Sequence, residues 1–201
     1  MKTGVFGGTF DPPHIAHLVL AAEALMQLQL DRVLWVLTPQ PPHKPDWPIT
    51  EVEQRLRMLE GAIADQPLFQ LSRVDLDRPP PHYALDTMHL LRKEYPEDSL
   101  IYLMGCDSLK ELPEWHKPQE FINLCDGLGV MLRPGAVIDI PLLEGALPGI
   151  AEKVRFVGTP LLEISSSDIR KRIARKGHYR YFLPERVHQI ILQNALYTDT
   201  D

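Results

Sequence analysis

The stretch GGTFDPPHIAH, residues 7–17, follows the short apolar run TGVF at 3–6, and its reading decides the fold. Two glycines allow a tight turn and let another molecule come close to the backbone. From His14 onward Ile15, Leu18, Val19, Ala22, Leu25 and Met26 recur at i, i+3, i+4 spacing, which predicts a helix. The stretch therefore reads as strand, glycine bend, helix. A helix that starts near His14 turns its free amides and positive dipole end toward the bend. His14 and His17 are neighbours on the first helical turn. Three chemistries stay open for them: a metal site, an acid–base pair, or a clamp for an anion. A glycine turn followed by two exposed helical histidines also fits these residues taken alone.

Working outward, strand and helix signals alternate. RVLWVL (32–37), LFQLSRV (68–74), SLIYLMG (99–105), GLGVML (127–132) and KVRFVG (153–158) read as buried strands two to six. Thr50 with Glu53 makes a capping-box pattern before Val52, Leu56, Leu59 and Ile63. Further helices are expected near 83–94, 167–176 and 184–195. TPQPPHKPDWP (38–48) is expected to be irregular, since proline lacks the backbone donor and restrains its neighbour. This alternation predicts a Rossmann-like, doubly wound α/β fold, a mainly parallel sheet with helices on both faces. No composition shift marks a boundary. One domain over 1–201 is expected, with the C-terminal helices (about 165–197) packing against the sheet.

Sheets of this kind bind ligands beyond the carboxyl ends of their strands, at the switch point. The unusual segments fall there. GGTFDPPHIAH follows the first strand, TPQPPHK the second, GCDSL the fourth, RPG the fifth and TPLLEISSSDIR the sixth. The first is not a Walker loop, because no G-x-x-x-x-G-K-[ST] occurs. It also lacks the third glycine of the dinucleotide fingerprint and the acidic residue after the second strand. A metal is disfavoured, because no acidic or cysteine partner stands at zincin-like spacing from the two histidines. In ISSSDIR (164–170) the serines cap a helix and offer hydroxyls and amides to an anion, and Arg170 lies one turn on, facing as Ser166 and Ser167 do.

Composition narrows the classes. A net charge of −6 argues against a general nucleic-acid binder. Two cysteines, Cys106 and Cys125, make no disulfide framework and suit a reducing compartment. No apolar run approaches a membrane span, and the N-terminus lacks the layout of a secretion signal. A cytoplasmic protein without nucleic-acid or membrane partners is expected; oligomeric state is left open.

GTFDPPHIAH resembles the [G/S]-G-T-F-D-P-x-H-x-G-H motif of nucleotidyltransferases with a histidine motif, and ISSSDIR resembles their closing I-S-S-T-x-I-R. Along nearly all its length the chain is similar to bacterial nicotinate-nucleotide adenylyltransferases. PPHK (41–44), HYALDT (82–87, for the family's S-Y-T-x-D-T), GCDSL with Trp115, RPG (133–135) and LPERV (183–187) carry that likeness. Four positions depart from the pattern. Ala16 stands for glycine, Ser167 for threonine, and His82 and Ala84 for serine and threonine, so position 84 has lost a hydroxyl.

The resemblance implies transfer of the adenylyl group of ATP to nicotinate mononucleotide, giving deamido-NAD and pyrophosphate, with no protein nucleophile. It assigns His14 and His17 to catalysis and, with Gly7, Gly8, Thr9 and Phe10, to ATP. Ser166, Ser167 and Arg170 would grip the outer phosphates, and Gly105 and Asp107 would lie beside ribose and adenine. Lys44 would meet the mononucleotide phosphate, with Arg133 completing its surroundings. Trp115 would stack on the pyridine ring, and amides around Ala84–Leu85 and at His116 would meet its carboxylate. Mg2+ would arrive with ATP, bound through phosphates and water, with no metal site built from the protein's own side chains. Transferases for phosphopantetheine or for nicotinamide mononucleotide, and a non-catalytic nucleotide sensor, are the rival readings.

Overall fold

The structure is a computed structural model that describes residues 1–41, 49–132, 137–160 and 162–198. Its sheet has six strands: β1 (Lys2–Gly8), β2 (Arg32–Leu37), β3 (Phe69–Ser72), β4 (Ser99–Gly105), β5 (Gly127–Met131) and β6 (Val154–Val157). They lie in the order β3-β2-β1-β4-β5-β6, and every neighbouring pair is parallel. The chain moves outward from β1 to β3, returns to place β4 on the other side of β1, and moves outward again. The order therefore reverses between β1 and β4, where a crevice opens beyond the strand ends.

The strands are apolar on both sides because both sheet faces are covered. Alternate side chains point to opposite faces. On one face Phe6, Val33, Trp35, Leu37, Ile101 and Leu103 pack under α1 (Ile15–Gln27), α2 (Val52–Ile63), α8 (Ser166–Ala174) and α9 (Glu185–Gln193). On the other, Val5, Leu34, Val36, Leu100, Tyr102 and Met104 pack under α3 (Ala84–Glu94), α4 (Cys106–Glu111), α5 (Pro118–Leu124), α6 (Ile140–Ala146) and α7 (Ile150–Lys153). A fully buried aliphatic or aromatic side chain contributes about 1.5–3 kcal/mol, so these two layers supply the main drive to fold.

The predicted strands and long helices occur within a few residues of their expected bounds. The capping box at Thr50 does not form: Glu51 precedes α2, without a side-chain cap bond. Thr50 has other partners. Its carbonyl accepts from Arg55 Nε at 2.7 Å, and its N–H donates to Asp11 Oδ2 at 3.3 Å. The short helices α4 to α7 were not anticipated.

Candidate active site

A cleft of about 630 Å3 lies at the carboxyl ends of β1 and β4. Gly7, Gly8 and Thr9 form one wall with His14 and His17; Ala84, Leu85, Trp115 and His116 form the opposite one. Gly105 and Asp107, at the end of β4 and the start of α4, line it as well. Ser165 and Ser166 close it from the start of α8. Phe10, Ser167 and Arg170 are not among the lining residues. Lys44 and Arg133 lie outside the described residues.

The loop between β1 and α1 is fastened from all sides. Phe10 takes a positive φ of 47° and is 3% exposed. Its ring packs edge-on against Phe6 at 5.6 Å and lies 5.3 Å from Trp35. A Cβ on Gly8 would stand 2.9 Å from that ring, so only glycine lets it fold back here. The buried Arg55 guanidinium, 1% exposed, donates to the carbonyls of Thr9 (2.9 Å), Thr38 (2.9 Å) and Pro39 (2.6 Å). It thereby joins the loops that follow β1 and β2. Burial pulls its pKa down, and the nearby Asp11 carboxylate counters that effect.

Asp11, 4% exposed, accepts from the Tyr197 hydroxyl at 2.6 Å, which ties the segment after α9 to the same loop. Ser166 Oγ donates to the Pro12 carbonyl at 2.8 Å, and Arg170 Nη1 donates to the Asp11 carbonyl at 2.7 Å. Residues 166 and 170 thus do face one way, as their spacing predicts, and the surface they face is the loop backbone. Ser165 is the helix cap: its Oγ accepts from Asp168 N at 3.1 Å.

This fastening sets the histidines. His14 is the first cap of α1, and its N–H donates to His17 Nδ1 at 3.2 Å. The two rings stack at 3.7 Å with 23° between their planes, and Phe10 meets the His17 ring edge-on at 5.1 Å. A backbone N–H can only donate, so His17 Nδ1 supplies a lone pair and neutral His17 carries its proton on Nε2. Desolvation and then the neighbouring His14 hold its pKa well below the ordinary 6.5. At neutral pH His17 is therefore an uncharged Nε2–H donor at a helix start. Among the described residues no three His, Cys, Asp or Glu side chains converge to hold a metal.

The opposite wall is built from rings, with a buried carboxylate, Asp75, paired to the half-buried Arg78. Trp115 packs against Phe121 at 5.4 Å and Tyr102 at 6.2 Å; Tyr83, which precedes α3, stacks on His116 at 4.2 Å. Asp75, 2% exposed, accepts from Arg78 Nε at 2.9 Å and from the Thr87 hydroxyl at 2.8 Å. Arg78 also donates to the carbonyls of Pro81 (2.7 Å) and Tyr83 (3.3 Å), which fixes the entry to α3. His82, 6% exposed, has its Nε2 3.3 Å from the Arg78 carbonyl, so that nitrogen carries the proton. Among the described residues its Nδ1 has no hydrogen-bond partner.

Sequence reasoning missed Arg55, Asp11, Tyr197 and the Asp75–Arg78 pair. For Arg55 a signal existed: it sits beside Leu56 and Leu59 on a helix whose inner face is apolar.

The family model for cytidylyltransferase-like proteins matches residues 5–172. The nicotinate-nucleotide adenylyltransferase of Bacillus subtilis (strain 168) is 38% identical over 196 residues, 98% of each chain. A Thermomicrobium roseum protein named "Probable nicotinate-nucleotide adenylyltransferase" is 44% identical over 98% of this chain and 91% of its own. Among solved structures, Plasmodium falciparum nicotinic acid mononucleotide adenylyltransferase complexed with NaAD superposes with a TM-score of 0.80 at 19% identity, covering 100% of this chain and 99% of that one. The same protein complexed with APC gives a TM-score of 0.78 at 17% identity over 99% and 98%. At such identities these two likenesses speak for the fold.

Proposed function

This chain belongs to the cytidylyltransferase-like family and, within it, to the nicotinate-nucleotide adenylyltransferases; from that premise we propose how its cleft works. The enzyme transfers the adenylyl group of ATP to nicotinate mononucleotide, giving deamido-NAD and pyrophosphate. A phosphate oxygen of the mononucleotide attacks the α-phosphorus of ATP in line. The new P–O bond forms as the bond to pyrophosphate breaks. No protein nucleophile takes part, so the protein contributes position and charge stabilisation.

The observation that carries this reading is the histidine pair stacked at 3.7 Å at the start of α1, beside the Gly7–Thr9 backbone. His17 Nε2–H donates to the α-phosphate or to the departing pyrophosphate, where negative charge builds. His14 and the α1 amides hold neighbouring phosphate oxygens. Ser166 touches the outer phosphates at the cleft edge, and Ser167 and Arg170 support that edge. Gly105 and Asp107 accompany the nucleoside. At the other end Trp115 stacks on the pyridine, amides at Ala84–Leu85 and His116 receive the carboxylate, and Lys44 and Arg133 attend the mononucleotide phosphate.

Mg2+ belongs to the substrate in this scheme. It would arrive with ATP, bound through phosphates and water as such ions commonly are. Its chemistry is charge neutralisation on the polyphosphate, and the protein's part remains the positioning described above.

The test is release of pyrophosphate from ATP and magnesium. It should require nicotinate mononucleotide, and deamido-NAD should appear in equal amount. Tight ATP binding with no pyrophosphate under any mononucleotide would make the cleft a nucleotide sensor.

A further inference from the structure

Tyr102 lies in the middle of β4, opposite Val5 of β1, below the point where strand order reverses. Its side chain is 8% exposed and yet lines the cleft. Phe121 and Trp115 meet its ring edge-on, at 5.0 Å and 6.2 Å. A Cβ at Gly7 would stand 3.0 Å from the Tyr102 hydroxyl, so the bare glycine is what gives that hydroxyl room at the cleft floor. Among the described residues, none forms a hydrogen bond with it. The hydroxyl is thus open to the cleft, a donor that a bound molecule can meet.

Its chemistry and place suggest its use. Burial raises the phenol pKa further above its ordinary value, so at any working pH the group is an O–H able to donate. Its ring meets that of Trp115, and it lines the same cleft as Ala84, where the family pattern carries a threonine hydroxyl that this chain lacks. A hydroxyl is missing at the start of α3, and another stands on β4 in the same cleft, beside Gly7.

We propose that the Tyr102 hydroxyl contacts nicotinate mononucleotide and donates a hydrogen bond to the carboxylate on its pyridine ring. The proposal rests on the adenylyl-transfer reading above. The carboxylate then accepts from two directions: main-chain amides at the start of α3, and the phenol from the sheet floor. The tyrosine is an affinity-determining contact at the substrate's acid group, remote from the reacting phosphorus.

Tyr102→Phe tests this with little disturbance, since the ring and its packing remain. In the variant the KM for nicotinate mononucleotide should rise ~10–100-fold, the range for a hydrogen bond to a charged group. The KM for ATP should stay within twofold of the parent's. Thermal stability of the protein alone should hold, because the ring packing is kept and the hydroxyl has no hydrogen-bond partner among the described residues to lose. Calorimetric binding of nicotinate mononucleotide should weaken by the same factor. A structural role gives the opposite pattern, a lower Tm with both KM values moving together, and would overturn the proposal. So would a mononucleotide KM unchanged within twofold. If the parent neither binds nor adenylates nicotinate mononucleotide, the functional reading itself falls; if the parent does and the variant matches it, only the Tyr102 assignment falls.

Discussion

The two ends of the cleft are held in different ways. At the phosphate end, the loop from Thr9 to His14 is fixed by hydrogen bonds from Arg55, Thr50, Tyr197, Ser166 and Arg170, which reach it from α2 and the residues just before it, from α8 and from the segment beyond α9. At the pyridine end, Trp115, Tyr102, Phe121, Tyr83 and His116 pack ring on ring; among the described residues the buried His82 Nδ1 has no hydrogen-bond partner, and none bonds the Tyr102 hydroxyl at the cleft. The difference follows from what each end must recognise. A polyphosphate is met by backbone amides and a histidine pair, whose value depends on rigid placement. A pyridine acid is told from its amide by the match of single donors and acceptors, so polar atoms there are kept for the ligand.

The sharpest way to break this contrast is to loosen the fastened end. Arg55→Met removes a buried charge whose hydrogen bonds all go to loop carbonyls, at a cost of about 3–5 kcal/mol in stability by analogy with broken buried pairs. Urea melts should show it, and turnover should fall with it. A variant as stable as the parent would mean that Arg55 does not organise the loops after β1 and β2.

His17→Ala addresses the same end without unfolding it. Turnover should drop ~10²–10³-fold, the value of one positioned donor in a transition state, while Tm and mononucleotide affinity stay near those of the parent. Near-parental kcat would remove His17 from the chemistry. Tyr197→Phe is milder. Losing a donor to the buried Asp11 carboxylate should raise the ATP KM about tenfold and leave the mononucleotide KM alone, consistent with ~1.5–3 kcal/mol for a charged hydrogen bond. Equal effects on both substrates would show the two ends to be coupled.

The smallest effect is in pH. His17 has its pKa held below 6.5 in the fold, so the unfolded chain binds more protons just below that pH. Stability is therefore full above 6.5 and is lost as pH falls toward the depressed value, by at most about 1.4 kcal/mol per pH unit. His188, also lowered, by burial and then by Arg180, adds in the same direction. The drop in Tm between pH 7.5 and 5.5 should shrink in His17→Gln; an undiminished drop would assign it elsewhere.

Much of the fastened end was legible in the sequence, because strand and long-helix patterns placed GGTFDPPHIAH and ISSSDIR at strand ends. The six strands announced themselves as apolar runs because both sheet faces are covered. The helices α4 to α7 span four to seven residues each, too few for a 3.6-residue period to show. Arg55 was missed although it sits beside Leu56 and Leu59 on the apolar side of α2, because arginine on a helix ordinarily marks the solvent face. The Asp11–Tyr197 bond joins residues 186 positions apart, and no local pattern encodes such a pair. Ser166 and Arg170 were recognised as one constellation, yet only three-dimensional geometry reveals that both bond the loop backbone.

The most direct test of the two-ended account is the ratio of kcat/KM for nicotinate mononucleotide to that for nicotinamide mononucleotide, under the same ATP and magnesium. Main-chain N–H groups at the start of α3 can only donate, and so does the Tyr102 hydroxyl in its proposed contact. A carboxylate satisfies such donors from both oxygens, whereas an amide turns an NH2 toward one of them. The acid should be preferred by at least ~10²-fold, as for sites built on matched hydrogen bonds. Comparable efficiencies would contradict the assignment of the pyridine end, pointing to an acceptor such as His82 Nδ1 at work there, while leaving adenylyl transfer intact.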